Sequence, residues 1–192
     1  MRNNQTRGVA IAALAVMIST AGVASANPTG PSYNYVDIGY VDLDLDGGGS
    51  IDGYGLTGSF ALAEQFHIVA DYIRVSEGIL SADVTTLAGG WNMPLNPTTD
   101  FVARLGFVRA GARVTGFGSD SDNGWMVQGG IRSMVAPQFE LNAFVTHTDV
   151  SGSDTSIGVG AVWHFTNNFG LSGGFDFSDG DRLSRLGVRF SF

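Results

Sequence analysis

With 18 acidic against 10 basic side chains over 192 residues, the chain carries a formal net charge of −8, which argues against a duplex nucleic acid partner. It has no cysteine, so no disulfide framework or thiolate metal centre can be built. Beyond the N-terminus no apolar run reaches membrane-helix length, which excludes a helical membrane protein but not a β-rich one, soluble or membrane-bound.

The N-terminus reads as an export signal. Arg2 and Arg7 give a basic start, and Gly8 to Met17 is an apolar run too short to span a bilayer. Ala24-Ser25-Ala26 is a small-x-small cleavage site before Asn27. The expected organisation is a signal peptide at 1–26 and one domain at 27–192. Taking Arg2 and Arg7 from the 10 basic residues leaves 8 against 18 acidic, about −10 for the mature chain, and no lysine remains.

From Tyr35 onward the sequence alternates with period two. In Tyr54 to Leu62, for example, Tyr54, Leu56, Phe60 and Leu62 share one face with Gly58, while Gly55, Thr57, Ser59 and Ala61 share the other. The same pattern predicts about ten strands, near 33–42, 53–63, 66–76, 82–93, 100–111, 124–135, 139–149, 156–165, 169–177 and 183–192. Most have the length that a tilted strand needs to cross a bilayer. The connections alternate in kind. One set is short: 63–65, 94–99, 136–138 and 166–168. The other is longer or more acidic and glycine-rich: 43–52, 77–81, 112–123, 150–155 and 178–182. This is the layout of an antiparallel up-and-down transmembrane β-barrel, with short turns in the periplasm and longer loops outside.

A weak repeat supports that layout. Phe66, Phe101, Phe139 and Phe169 each follow a short turn, and Trp91 and Trp163 close strands descending to the same end. These six are expected to form an aromatic ring at the periplasmic membrane interface. Phe165, Phe190 and Phe192 fall at the same end.

An outward arginine at the bilayer midplane costs about 2–4 kcal/mol, so the apolar face of each strand should meet lipid. Asp37, Asp71, Glu140 and Asp176 then point into the lumen with Arg104, Arg132, Arg185 and Arg189. Four charges of each sign predict an internal salt-bridge network that fills the barrel. The inward glycines at 39, 55, 130, 158, 160 and 174 leave room for the contrary reading, a narrow pore.

The final strand, Leu186-Gly187-Val188-Arg189-Phe190-Ser191-Phe192, ends on phenylalanine with apolar residues at alternate positions before it. This resembles the C-terminal signal by which the bacterial barrel-assembly machinery recognises its clients, carried here by Leu186, Val188, Phe190 and Phe192. The whole mature chain resembles the small outer-membrane β-barrels of the OmpA/OmpX-like superfamily. The resemblance implies residence in the bacterial outer membrane, reached through the periplasm. Outer-membrane lipid and lipopolysaccharide are then the expected surroundings, the assembly machinery a transient partner, and a monomer the expected state. Members commonly have eight strands; eight here would make two of the ten predicted segments rim hairpins.

Asp42 to Gly53, DLDLDGGGSIDG, places Asp42, Asp44, Asp46 and Gly47 as in a calcium-binding EF-hand loop. Position 12 is Gly53 rather than a carboxylate, and the flanks read as strands, so a flexible acidic loop is expected and no EF-hand; the alternative is a weak surface site for a divalent cation among Asp42, Asp44, Asp46 and Asp52. Of the three histidines, His67 and His164 fall near the short turns and His147 near the outer rim. Lipid A deacylase barrels place a serine two residues from the histidine on one strand; here Asp149 stands there. No catalytic residue and no cofactor is therefore expected. The function expected is a non-enzymatic barrel with a structural or surface-interaction role. The alternatives are a narrow porin-like channel for small solutes and, more weakly, a lipid-modifying enzyme around His147.

Overall fold

The computed structural model describes Val23–Ala24 and residues 30–192. Ten of its strands form one sheet: β1 (Tyr35–Asp44), β2 (Ser50–Ala63), β3 (Phe66–Glu77), β4 (Leu80–Asn96), β5 (Thr99–Val114), β6 (Gly118–Ala136), β7 (Phe139–Asp149), β8 (Ser153–His164), β9 (Phe169–Ser178) and β10 (Asp181–Ser191). Each pairs antiparallel with its neighbour in the chain. β10 pairs with β1, from Ser191 opposite Tyr35 to Arg182 opposite Asp44, which closes the sheet into a barrel. The strand number is thus ten, and no segment is set aside as a rim hairpin. The expected signal peptide lies outside the described residues except for Val23–Ala24, which pairs with Pro31–Ser32.

Alternation decides the faces. In β3, His67, Val69, Asp71, Ile73 and Val75 are buried, while Phe66, Ile68, Ala70 and Arg74 are exposed. A hydrocarbon surround explains why so many large apolar side chains stand outside: Ile38, Leu56, Leu87, Leu105, Phe107, Val145 and Ile157 are all exposed. The belt has a constant height. Phe66, Trp91, Phe101, Phe139 and Trp163 mark one edge. Eight residues along their strands stand Arg74, Asp83, Arg109, His147 and Thr155, and no charged residue faces outward in between. At ~3.3 Å per residue and a tilt of ~40°, eight residues rise about 20 Å, close to the ~25 Å apolar band of a membrane barrel.

The aromatic edge lies at the end carrying both termini of the barrel. Ring contacts link Phe139 to Trp163, Trp163 to Phe165, Phe165 to Phe169, Phe169 to Phe190 and Phe190 to Phe192, with centroids 5.2–6.5 Å apart. Trp91 and Phe101 form a second pair at 6.4 Å, and Phe66 stands opposite Trp91 in the ladder.

Two expectations need correction. Residues 112–123 are not a long loop: β5 runs to Val114, β6 starts at Gly118, and the ladder continues to Val114 opposite Gly118. Serine, aspartate and glycine there resemble loop composition, but cross-strand hydrogen bonds override it, and β4, β5 and β6 rise above the belt as a tall wall. The connection at 94–99 likewise shrinks, because β4 extends to Asn96 and absorbs Pro94 beside a register shift. Pro is tolerated in strands at such irregularities. At the distal end, Gly47, Gly48 and Gly49 turn the chain at φ of 105°, 95° and 107°, a region open mainly to glycine.

Candidate functional site

The lumen is layered. The half nearer the termini is polar. Arg132 and Glu140 are both fully buried and 2.8 Å apart. Arg189 Nη2 donates to Asp37 Oδ2 at 2.6 Å, and Ser172 Oγ donates to the other oxygen of Asp37 at 2.8 Å. Arg185 lies between two carboxylates, 3.3 Å from Asp71 and 3.8 Å from Asp176, and Thr57 Oγ1 donates to Asp71 at 2.6 Å. Seven of the eight predicted lumen charges thus sit in ion pairs.

Arg104 is the exception and corrects the expectation of a fully paired network. Among the described residues no carboxylate lies within 4 Å of it. Its Nε donates to His67 Nε2 at 3.3 Å and its Nη1 to Gln128 Oε1 at 2.9 Å. Because His67 Nε2 accepts, the imidazole proton belongs on Nδ1, which faces Asn92 Oδ1 at 3.3 Å. Each of three buried guanidiniums also lies over an aromatic ring: Arg132 over Tyr33 and Arg189 over Tyr35, both at 4.5 Å, and Arg104 over Phe144 at 5.2 Å. At desolvated sites such contacts contribute about 2 kcal/mol each.

On the side of β1–β6 and β10 the distal half of the lumen is apolar, whereas β7–β9 line it with the buried Thr148, Ser156, Asp176 and Ser178. Val41, Leu43, Ile51, Ile73, Val75, Val84, Val108, Met126, Val150 and Leu183 are buried and pack as one cluster contributed by most of the strands. Sequence reasoning missed this layer because it weighed charges. The signal was present: in Asp71-Tyr72-Ile73-Arg74-Val75 the inward series changes from carboxylate to aliphatic as the strand leaves the terminal half.

The terminal mouth is occupied by the segment preceding β1. Tyr33 was expected inside a strand, yet it lies before β1 with its ring 7 % exposed, stacked on His67 at 4.4 Å. Its hydroxyl donates to Asp100 Oδ2 at 2.8 Å, its carbonyl accepts from Ser59 Oγ, and Ser32's carbonyl accepts from Arg132. Burial raises the Tyr33 phenol well above its ordinary range, so it stays a donor. Asn34 ties the segment to both sides of the mouth: its Oδ1 accepts from the Ala61 amide and its carbonyl from the Phe192 amide.

A closed ten-strand barrel with an apolar outside and a charged inside narrows the identity to membrane barrels, and comparison with known families decides it. Residues 10–165 match the outer membrane protein beta-barrel domain. The chain belongs to that family. Its place is accordingly the bacterial outer membrane. Several solved structures are similar along most of the chain at low identity. A KdgM porin in complex with disordered oligogalacturonate is 15 % identical, with 82 % of this chain and 99 % of that one covered at a TM-score of 0.49. OprG from Pseudomonas aeruginosa is 14 % identical over 86 % and 98 %, TM-score 0.46. Ail of Yersinia pestis is 13 % identical over 84 % and 100 %, TM-score 0.41. No curated protein matches the sequence.

Two sites outside the lumen of this outer-membrane barrel bear on its chemistry. His147 faces outward at the distal edge of the belt, its ring 5.6 Å from Trp125. Its Nδ1 lies 2.9 Å from Thr155 Oγ1 and its Nε2 3.2 Å from Ser153 Oγ. The serine beside it is therefore Ser153, brought across from β8. Ser151 instead bonds Asp122, and Asp149 stands opposite Ser153 in the ladder. In the acidic loop, Asp44 pairs with Arg182, and the Asp46 amide donates to Asp181. Among the described residues no three metal-binding side chains cluster there or elsewhere.

Proposed function

We propose that this barrel is closed to solutes and serves the outer membrane as a structural or surface-presenting element, without enzymatic activity. Its terminal end faces the periplasm and its acidic turns and the β4–β6 wall face outside. The carrying observation is the aliphatic layer of Val41, Leu43, Ile73, Val84, Val108, Met126 and Leu183, which lines the distal lumen on the side of β1–β6 and β10. A hydrophobic constriction excludes ions by dewetting, and a small barrel is about wide enough for its own side chains. The Tyr33 segment adds a second closure at the other mouth. In this reading the terminal strand docks with the assembly machinery through Leu186, Val188, Phe190 and Phe192, which are exposed along one face of β10 and its end.

The test is single-channel recording in planar bilayers. The wild-type protein should be silent, and Ile73→Ser combined with Leu183→Ser should produce discrete openings by wetting the apolar layer. Reproducible wild-type openings would refute closure.

The channel reading draws on one feature, a cavity of about 30 Å³ lined by Asp37, Thr57, Asp176 and Arg185 together with Gly39, Gly55, Gly174 and Gly187. That volume suits about one water, not a permeating solute. The lipid-modifying reading draws on the Ser153–His147 contact. Against it, His147 Nδ1 faces a threonine rather than a carboxylate that would hold the imidazole as a base. Lipid A composition unchanged by His147→Ala would dispose of it.

A further inference from the structure

Half of the eight arginines after residue 26 lie in the lumen: Arg104, Arg132, Arg185 and Arg189. The other four, Arg74, Arg109, Arg113 and Arg182, are exposed and all stand toward the distal end. Arg182 is paired with Asp44. The remaining three share one sector of the outer wall on β3 and β5. Among the described residues none of them has a carboxylate within 4 Å, although this end of the barrel is rich in aspartate.

Their placement is specific. Arg74 and Arg109 each stand eight residues beyond an aromatic of the opposite edge, Phe66 and Phe101, so both lie where the apolar belt ends. Both point away from the lumen, toward lipid headgroups. Arg113 is four residues higher on the same face. Asp83 lies between the strands, directly opposite Arg74, and Asp52 on β2 stands diagonal to Arg74, leaving three positive charges to two negative. The neighbours are small donors: Thr85 and Asn123 flank Arg109 in the ladder, Ser81 and Ser119 flank Arg113, and Ser121 Oγ accepts from Arg109 at 3.4 Å. The rest of the distal edge differs. β1 and β2 place Asp42 and Asp52 at the corresponding level, and β7 and β8 place His147 and Thr155.

Unpaired guanidiniums bordered by hydroxyls and an amide, at headgroup depth, match a phosphate ester: arginine offers a planar fork of donors, and the hydroxyls can donate to remaining oxygens. We propose that the Arg74–Arg109–Arg113 sector binds a phosphate of the lipid A portion of outer-leaflet lipopolysaccharide, fixing one lipid against β3–β5. The proposal rests on outer-membrane location and on the distal end facing outward, not on closure of the lumen; conductance and lipid binding can fail independently.

The test uses full-length protein, exported and purified from outer membranes, titrated in detergent micelles with bis-phosphorylated lipid A and with the same lipid after phosphatase treatment. Wild type should prefer the phosphorylated form about tenfold, the combined effect of two exposed charge-assisted contacts. Arg74→Gln with Arg109→Gln should abolish the preference, and Arg182→Gln should leave it intact. Thr85→Glu, which sets a carboxylate beside Arg109 without removing an arginine, should also abolish it and covers the case in which the double variant fails to fold. Equal binding of the two lipids by wild type, or an unchanged preference in Thr85→Glu, would overturn the site. Release of lipid A by millimolar inorganic phosphate would overturn its assignment to lipid.

Discussion

Replacing Arg132 by methionine removes one partner of a fully buried pair. Glu140 keeps its position at 0 % exposure and loses a guanidinium at 2.8 Å. Breaking such a pair from one side costs about 3–5 kcal/mol, because a buried charge is left uncompensated. Arg132 also lies over the Tyr33 ring at 4.5 Å and donates to the Ser32 carbonyl at 3.2 Å, so the N-terminal closure loses about 2 kcal/mol in addition to the ion-pair cost. The two parts separate in a double variant. Arg132→Met with Glu140→Leu removes both charges, and an apolar replacement of a buried pair is close to neutral, so only about 2 kcal/mol should remain. Urea unfolding from lipid vesicles, followed by tryptophan fluorescence, reads both values. A double variant as unstable as Arg132→Met, or a single variant costing under about 1 kcal/mol, would refute the view that pairing compensates the buried charge here.

Gly39→Ala should destabilise the barrel by about 1–3 kcal/mol, because a Cβ there would lie 2.6 Å from the Leu186 carbonyl oxygen and 2.8 Å from Gly187 Cα, backbone atoms that cannot move aside cheaply. Gly58→Ala, on the outer face with nothing within 4 Å, should be within about 0.5 kcal/mol of wild type in the same urea titration; similar losses at both sites would show that the close approach is not the cause. Tyr33→Ala should cost about 3 kcal/mol yet leave the protein silent in planar bilayers, since the aliphatic layer is untouched; openings in this variant would place the ion barrier at the terminal mouth instead.

The outer face was legible because lipid tolerates few exceptions: every strand presents apolar or small residues at alternate positions across the belt, and one slip of register would set arginine or aspartate in hydrocarbon. The inner face is less constrained. Asp37, Asp71, Asp176, Glu140 and their arginines could be placed in the lumen by period alone, but which acid meets which arginine depends on cross-strand register, and Arg104 finding His67 and Gln128 rather than a carboxylate is a consequence of that geometry. The same holds for Ser153, six residues from His147 in sequence yet within 3.2 Å across a hairpin. Tyr33 was hidden for another reason. Tyr33, Tyr35 and Asp37 continue one alternation, so nothing local marks where the ladder starts and the inserted segment ends.

The seam between β10 and β1 joins the first strand of the barrel to the last, with the Phe192 amide hydrogen-bonded to the Asn34 carbonyl. Ribosomes deliver those two strands at opposite ends of synthesis. Until β10 is seated during assembly in the outer membrane, β1 and β9 both keep an unpaired edge able to join a foreign strand. A chain cut short by one strand would therefore fail as a ring rather than persist as a slightly smaller one, and its two open edges would distinguish it from finished copies during quality control.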